Sequence, residues 1–290
     1  GITGFTPASM TFSEEILTDI FANAKTKTPE RGAMVMGINM EGPFLAEKKK
    51  GAQNPRYLEK PDIDMFKRLN ALTGGAIKLI TLAPETPGSD AFIEALKDET
   101  VISLGHTTAD YDIATKAFER GARNVTHLFN AMAPFTHREP GLVGAAFDQP
   151  QVTVELISDG VHIHPSVVRT AFTLFAGRLA LISDSMRATG LSDGDYTLGG
   201  QAVKVQGSHA TLVDGTLAGS VTNLMDCLRN TVALGIPLET AIQAAAVTPA
   251  KIIGEYHRTG SLEPGKLANV VLLDKDLNIV QVFVQGFEVI

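Results

Sequence analysis

Three side chains that can bind a metal ion follow three separate apolar runs of the sequence. Glu41 lies directly after "AMVMGINM", His106 ends "VISLGH", and His127 lies within "NVTHLF". One carboxylate and two imidazoles supply one oxygen and two nitrogen ligands and leave a coordination position open for water, as catalytic zinc sites do. Because such groups are costly to bury without partners, their shared place at the ends of predicted strands favours a single metal centre.

Asp184 is a candidate for acid and base chemistry beside such a centre. It closes the run "LALISD", at the end of a later predicted strand. A buried carboxylate needs a partner, and two interpretations meet that need. Asp184 either caps a following element, as aspartate commonly does, or acts as a general acid/base near the metal.

Two further stretches carry residues that can contact an anion or a substrate. His162 and His164 stand two apart in "ISDGVHIHP", a spacing that resembles metal-binding pairs, but a substrate contact or a surface loop suits this turn-like stretch equally well. Arg138 lies in the loop "FTHREPG", which proline and glycine punctuate. Its planar guanidinium suits two-point capture of phosphate or carboxylate, whereas most loop arginines are only solvated.

The elements that must position these side chains alternate between short β-type runs and amphipathic helical patterns. This alternation predicts parallel βα units, arranged as an open doubly wound sheet or as a (β/α)8 barrel. No glycine-rich dinucleotide fingerprint follows a strand, and polar residues stand at the C-terminal ends of many strands, so the barrel is favoured. Seven strands are predicted, at 1–7, 33–40, 76–84, 101–106, 124–129, 152–158 and 179–184.

The remainder of the chain predicts an insertion and a second small domain. A barrel at 1–264 would carry a β-hairpin insertion at about 195–217, followed by two helices, and strand character returns at 265–290 as the C-terminal part of a small β-sandwich. Seven strands are one fewer than a barrel needs. We therefore expect the first barrel strand to be missing through N-terminal truncation.

The composition excludes several classes of protein. With 290 residues, of which 44% are hydrophobic, the chain can form a sizeable core. Its formal charge of -7 lacks the basic bias of nucleic-acid binding. The single cysteine, Cys227, excludes a disulfide framework and favours a reducing cytoplasm. No apolar run reaches the roughly 18 to 20 residues of a membrane span, and the stretch "GITGFTPASM" does not have the pattern of a signal peptide. We therefore expect neither a membrane nor a nucleic acid as a partner.

Several motifs, taken in chain order, resemble those of the N-acetylglucosamine-6-phosphate deacetylase family of the amidohydrolase superfamily. They are "MEGPFL", "GHTTADYD", "THLFNAMAPFTHREPGLVGAAF", "ISDGVHIHP", "LISDSM", "GTLAGS" and "GSLEPGKLANVVLLD", and they cover essentially the whole chain. The resemblance implies a metal-bearing (β/α)8 barrel with a small β-sandwich built from both chain ends. It also implies hydrolysis of N-acetylglucosamine 6-phosphate to glucosamine 6-phosphate and acetate.

The same resemblance implies a role for each matching residue. Glu41, His106 and His127 would bind at least one divalent ion per chain, which is zinc, iron, manganese or cobalt, and Asp184 would be the catalytic acid/base. The resemblance also implies a homodimer, in which Arg138 of one copy reaches the site of the other. The residues implied to contact the amino-sugar phosphate are Ala52, Gln53, Asn130, Ala131, Arg138, His162, Leu217, Ala218 and Gly219.

Two departures from the family pattern accompany these expectations. The H-x-H pair or related polar pattern of the first barrel strand, which can complete a second metal site, has no counterpart in this sequence. Gln53 stands where many relatives carry a histidine, although an amide can still donate to the acetyl oxygen. The alternatives are another amidohydrolase activity, dihydroorotase-like or aminoacylase-like, and an inactive truncated fragment.

Overall fold

The computed structural model of the protein describes residues 1–26 and 32–290. The chain opens with β1 (Gly4–Phe5), α1 (Glu14–Thr26) and β2 (Met34–Val35), and the two strands pair in parallel. A parallel sheet of six strands in chain order follows. Its strands are β3 (Ile38–Glu41), β4 (Ile77–Leu82), β5 (Val101–Leu104), β6 (Asn124–Val125), β7 (Thr153–Ile157) and β8 (Leu179–Ile182).

The segment after β1 extends this parallel sheet by one more member. Ala8 forms a parallel bridge with Asn39 of β3, and the Ser9 N–H donates to the Asn39 carbonyl at 2.9 Å. At the other edge, Ser185 bridges Ser220 in parallel. The predicted TIM-like barrel of parallel βα units is confirmed, and each of the seven predicted strands contains an observed strand.

Helices connect the barrel strands and bury one face each against the sheet. In the first of them after β3, the Asp62 carboxylate caps the N-terminus by accepting from the backbone N–H groups of Asp64 and Met65, and Gly74 ends the helix at φ 72°. Phe66 of this helix packs edge-on against Phe92, which also packs against Phe44. The connecting helices are α2 (Ile63–Thr73), α3 (Ser89–Leu96), α4 (Tyr111–Arg120), α5 (Gly141–Asp148) and α6 (Pro165–Leu174).

Beyond the barrel strands the chain forms two small antiparallel sheets separated by helices. The first contains β9 (Gly194–Leu198), β10 (Gln201–Gln206) and β11 (His209–Leu212); the second contains β12 (Val270–Leu273), β13 (Ile279–Val284) and β14 (Phe287–Glu288). Between them lie α7 (Leu224–Ala233), α8 (Leu238–Ile242), a π-helical turn (Gln243–Val247) and α9 (Thr248–Ile252). No helix in these described ranges is long and apolar enough to cross a bilayer.

Several predicted strands end earlier than their sequence pattern indicates, and two of them end just before a proposed metal ligand. The strand predicted at 101–106 ends at Leu104, and the one predicted at 124–129 ends at Val125. The reason is that His106 and His127 adopt positive φ angles of 48° and 31°, which no strand residue adopts. Both histidines therefore lie in turns directly beyond the sheet.

Candidate metal centre and active-site pocket

The three side chains proposed as metal ligands meet at the C-terminal edge of the barrel sheet. Glu41 is the last residue of β3, while His106 and His127 lie two residues beyond β5 and β6. Glu41 Oε1 is 3.1 Å from His106 Nε2, and His106 Nε2 is 3.0 Å from His127 Nε2. One ligand atom from each residue lies within 4.8 Å of the other two. Consecutive parallel strands thus bring together residues 65 and 21 positions apart in the chain.

The tautomer of His106 makes this cluster a set of electron-pair donors. His106 Nδ1 is 2.8 Å from the Lys49 carbonyl oxygen, which can only accept, so Nδ1 carries the proton. Nε2 can then carry a second proton and donate it to the Glu41 carboxylate, or give up that proton to a metal ion and present a lone pair. Because lone pairs this close repel one another, a proton or a metal cation must lie among them. The residues present therefore fit a divalent metal ion, and Lys49 supplies the outer hydrogen bond typical of metal-bound histidine.

Burial and the contacts among the three side chains shift their pKa values. Burial, followed by the charge of the neighbouring His106, lowers the pKa of His127 to about 4. Burial opposes the charge on His106, but the hydrogen bond to Glu41, the charges of Glu41 and Asp184 and the contact with the Lys49 carbonyl together outweigh burial and raise the pKa of His106. Burial would raise the pKa of Glu41, but the hydrogen bond and charge of His106, the charge of His127 and the hydrogen bond from Gln53 together hold it below its ordinary value. At neutral pH the carboxylate is charged and His127 is neutral, which are the forms that bind metals.

Asp184 reaches the same region from β8. It lies two residues beyond that strand at φ 47°, and its carbonyl accepts from the Ser220 N–H at 2.8 Å. Burial, followed by the charge of Glu41, raises the pKa of Asp184 to about 6. A carboxyl group that titrates near neutrality is suited to exchange protons with water or a substrate.

Strained backbone conformations are concentrated around these side chains. Positive φ is uncommon outside glycine and costs on the order of 1 kcal/mol or more per residue. Five of the seven non-glycine residues with positive φ in residues 1–26 and 32–290 lie at this edge of the barrel, and they are His106, His127, Phe129, Ala131 and Asp184. Such clustering is typical of functional sites, where surrounding structure holds side chains in fixed directions.

A cavity of about 320 Å³ opens over the cluster and Asp184. Most of the residues proposed from the sequence to contact a substrate line it, and they are Ala52, Gln53, Asn130, Ala131, His162, Leu217 and Gly219. Two do not. Ala218 is fully buried in the core beneath β10 and β11, and Arg138 is exposed in its loop away from the lining.

The cavity lining also includes residues that the sequence analysis did not select. Ser9 and Met10 border the cavity beside Ser185 and Met186. Both pairs directly follow segments of the parallel sheet, so the rule that strand ends carry the site would have found them. Thr216 also lines the cavity, but it lies in the loop after β11, which belongs to an antiparallel sheet. The rule for the ends of parallel strands therefore does not apply to it.

A carboxylate fixes the orientation of His162 at the cavity wall. Asp159 Oδ2 is 2.7 Å from His162 Nδ1, and Asp159 Oδ1 accepts from the backbone N–H groups of Val161 and His162. Burial alone would raise the pKa of Asp159, but the hydrogen bonds from His162 lower it below its ordinary value. Nε2 is left as the ring nitrogen available to a ligand. The other histidine of this stretch, His164, caps α6 by accepting from the Ser166 N–H.

Asn130 and Ala131 form the tight turn that follows His127. The Asn130 amide nitrogen donates to the carbonyls of His127 and Leu128, both at 3.3 Å. Ala131 accepts at its carbonyl from the Thr107 N–H at 3.0 Å. The turn after β6 is thereby tied to the turn after β5, which connects the two histidine-bearing segments.

Comparison with known proteins identifies the family. The model of the amidohydrolase family matches residues 3–289. This chain belongs to the amidohydrolase family. The amidohydrolase is 39% identical to an N-acetylglucosamine-6-phosphate deacetylase of Bacillus subtilis, over 99% of this chain and 74% of that protein. It is 37% identical to an N-acetylgalactosamine-6-phosphate deacetylase of Escherichia coli, over 88% of this chain and 68% of that protein.

Solved structures give the same result for the amidohydrolase. The N-acetyl-D-glucosamine-6-phosphate deacetylase of Mycobacterium smegmatis superposes with a TM-score of 0.93 at 35% identity, covering 99% of this chain and 77% of that one. A structure of an aspartate-to-alanine mutant of that enzyme contains N-acetyl-D-glucosamine-6-phosphate. The resemblance to this deacetylase family drawn from the sequence motifs is confirmed.

Proposed function

We propose that this amidohydrolase removes the acetyl group of N-acetylglucosamine 6-phosphate, giving glucosamine 6-phosphate and acetate. The observation that carries the proposal is the convergence of Glu41, His106, His127 and Asp184 on one cavity of about 320 Å³. Relatives named for this reaction cover nearly the whole chain. Neither a dihydroorotase-like nor an aminoacylase-like activity has comparable support.

Glu41, His106 and His127 would hold the divalent ion. When bound, such an ion supplies a Lewis acid that acidifies water and stabilises negative charge on a carbonyl oxygen. Asp184 would accept the proton of the attacking water and return it to the amine nitrogen, which leaves poorly unless protonated. Its pKa of about 6 makes both directions of transfer accessible near neutrality. Zinc, iron, manganese and cobalt all suit this donor set.

The sugar phosphate would be held by the turn after β6 and by the opposite wall of the cavity. His162 presents Nε2, because Nδ1 is occupied by Asp159. Asn130, the backbone of Ala131, Ala52 and the turn at Leu217–Gly219 would complete the contacts around the sugar. Gln53 would face the acetyl group from the loop that lines the cavity.

The charge of the phosphate supports the proposal of a homodimer. Among the described residues that line the cavity there is no lysine and no arginine. Arg138 lies exposed in its loop, outside its own cavity. A phosphate dianion needs charged donors, and Arg138 of a second copy of this chain would supply one. The expected test is Arg138→Ala, which should raise KM for the phosphorylated sugar much more than for N-acetylglucosamine itself.

A closely related substrate is the second candidate. The 37% identical Escherichia coli relative is named for N-acetylgalactosamine 6-phosphate, which differs only in the configuration of one hydroxyl group. Acetate release from both sugar phosphates and from unphosphorylated N-acetylglucosamine, measured with purified metal-loaded protein, tests the proposal. Equal or faster turnover of the galacto sugar would reassign the substrate, and absence of acetate from all three would refute the deacetylase proposal.

A further inference from the structure

Gln53 occupies a place in the site that a substrate contact does not explain. Its side chain is 2% exposed and lies between the segment after β1 and the end of β3. The amide oxygen accepts from the Thr11 N–H at 2.8 Å, and the amide nitrogen donates to Glu41 Oε1 at 2.6 Å. Gln53 therefore bridges the backbone of one barrel segment to the carboxylate at the end of the next.

The orientation of this amide follows from the chemistry of its neighbours. A backbone N–H can only donate, so the atom that faces Thr11 must be the amide oxygen. The nitrogen must then face Glu41, whose ionised carboxylate can only accept. Rotating the amide by half a turn would place donor against donor and acceptor against acceptor at both contacts. The bridge has one self-consistent arrangement.

We infer that Gln53 is a positioning residue that fixes the Glu41 carboxylate for metal binding, with Thr11 as its anchor. This inference rests on the proposed metal site. The oxygen held by Gln53 is the same Glu41 Oε1 that lies 3.1 Å from His106 Nε2. Glu41 is the one ligand of the three with a long flexible side chain, so a hydrogen bond to its carboxylate removes the most rotational freedom from the ligand set.

The loop that carries Gln53 is itself fixed from two directions. The Gln201 amide of β10 donates to the Ala52 carbonyl at 2.6 Å, and the Gln53 N–H donates to the Lys50 carbonyl at 2.9 Å. Gly51 adopts φ 56°, and a Cβ on it would lie 3.4 Å from the His106 ring. The segment from Lys49 to Gln53 thus contacts two of the three proposed ligands, His106 through Lys49 and Glu41 through Gln53.

Substitutions at Gln53 distinguish positioning of Glu41 from contact with the substrate and from anchoring of the loop. Methionine has a similar length and removes both hydrogen bonds. Histidine can restore both, because a neutral imidazole has one N–H donor and one nitrogen acceptor. Gln281 is a matched control, since its amide also donates to a glutamate, Glu288 Oε1, at 2.7 Å on the exposed C-terminal sheet. Gln201→Met serves as a control for loop anchoring alone.

The measurement is the affinity of the metal-free proteins for Zn²⁺ alone, obtained by competition with a chromogenic chelator. The thermal transition of each variant is recorded to show that it folds. We expect Gln53→Met to weaken zinc binding by about 10- to 100-fold, and Gln53→His, Gln281→Met and Gln201→Met to stay within about threefold of the wild type. Should Gln53→Met not fold, Gln53→His decides, because weakened binding by a folded histidine variant contradicts the bridge.

Three results would overturn the inference. The first is wild-type zinc affinity in folded Gln53→Met, which would show that Gln53 does not position Glu41 for the metal. The second is equal weakening by Gln201→Met, which would assign the effect to the loop. The third is failure of the histidine variant to restore affinity. Each outcome is independent of whether the wild type releases acetate, so a failed deacetylase assay leaves the inference standing.

Discussion

The carboxylate of Glu85 clamps the turn that begins at His106 by accepting from the Thr107 hydroxyl and from the Thr108 N–H. Thr107 in turn donates its backbone N–H to Ala131. Glu85→Ala would free this turn, and we expect a loss of metal affinity of about tenfold, typical of residues that orient a ligand from outside the coordination shell. Chelator competition measures it, with exposed Glu119→Ala on α4 as the control. Unchanged affinity in Glu85→Ala would exclude the clamp.

Metal removal should destabilise the folded chain measurably. An ion that binds only the folded state adds about 2.7 kcal/mol to the free energy of unfolding when its concentration is 100 times its Kd. We expect chelation to lower the thermal midpoint and zinc to restore it. His127→Ala should abolish this response, while His209→Ala, an exposed histidine of β11, should retain it. A thermal midpoint that changes with neither chelator nor zinc would contradict the proposed metal centre.

Asp184→Asn should remove proton transfer without removing the metal. We expect kcat to fall by roughly 10²- to 10⁴-fold and zinc affinity to change little. In the wild type the carboxylate must be ionised to accept a proton, so kcat/KM should fall as pH decreases through a pKa at or below about 6. A bound cation would move that pKa downwards. Asp195→Asn, on exposed β9, is the matched control, and full turnover by Asp184→Asn would reject the assigned base.

Cys227 should be unreactive until the protein unfolds. Burial raises the pKa of its thiol to about 11, and the side chain is fully buried on α7. At pH 8 only roughly one thiol in a thousand would be ionised, and the thiolate is the reactive form. We expect a disulfide reagent such as DTNB to modify no thiol in the folded chain and one in denaturant, since the sequence has a single cysteine. Rapid labelling under native conditions would show that this helix opens readily.

The barrel and the cluster of Glu41, His106 and His127 follow from the sequence for one physical reason. Parallel strands carry their C-terminal ends to one edge, so polar residues after apolar runs must converge there. The sequence pattern did not reveal where β5 and β6 stop, because an apolar run continues through His127 and Leu128 while the backbone has already turned. Tertiary constraints, and not local propensity, set those positive φ angles.

Contacts between residues distant in sequence could not be predicted from the sequence, for a different reason. The bridge from Thr11 through Gln53 to Glu41 joins positions 42 and 12 residues apart. No spacing rule links them, because a loop and not a regular element carries Gln53. The same holds for Arg138, because no spacing rule places it outside its own cavity and only the family resemblance implied a site on a neighbouring copy.

The five strained residues at the mouth of the barrel have a consequence for engineering this enzyme. Glycine would relieve each of those backbone angles, so a search for thermostable variants made without metal would find gains at His106, His127 and Asp184. Every such gain would delete a proposed ligand or the proposed base. Selection for heat resistance alone would therefore favour a more stable barrel that has lost its activity. Any such screen must also measure turnover.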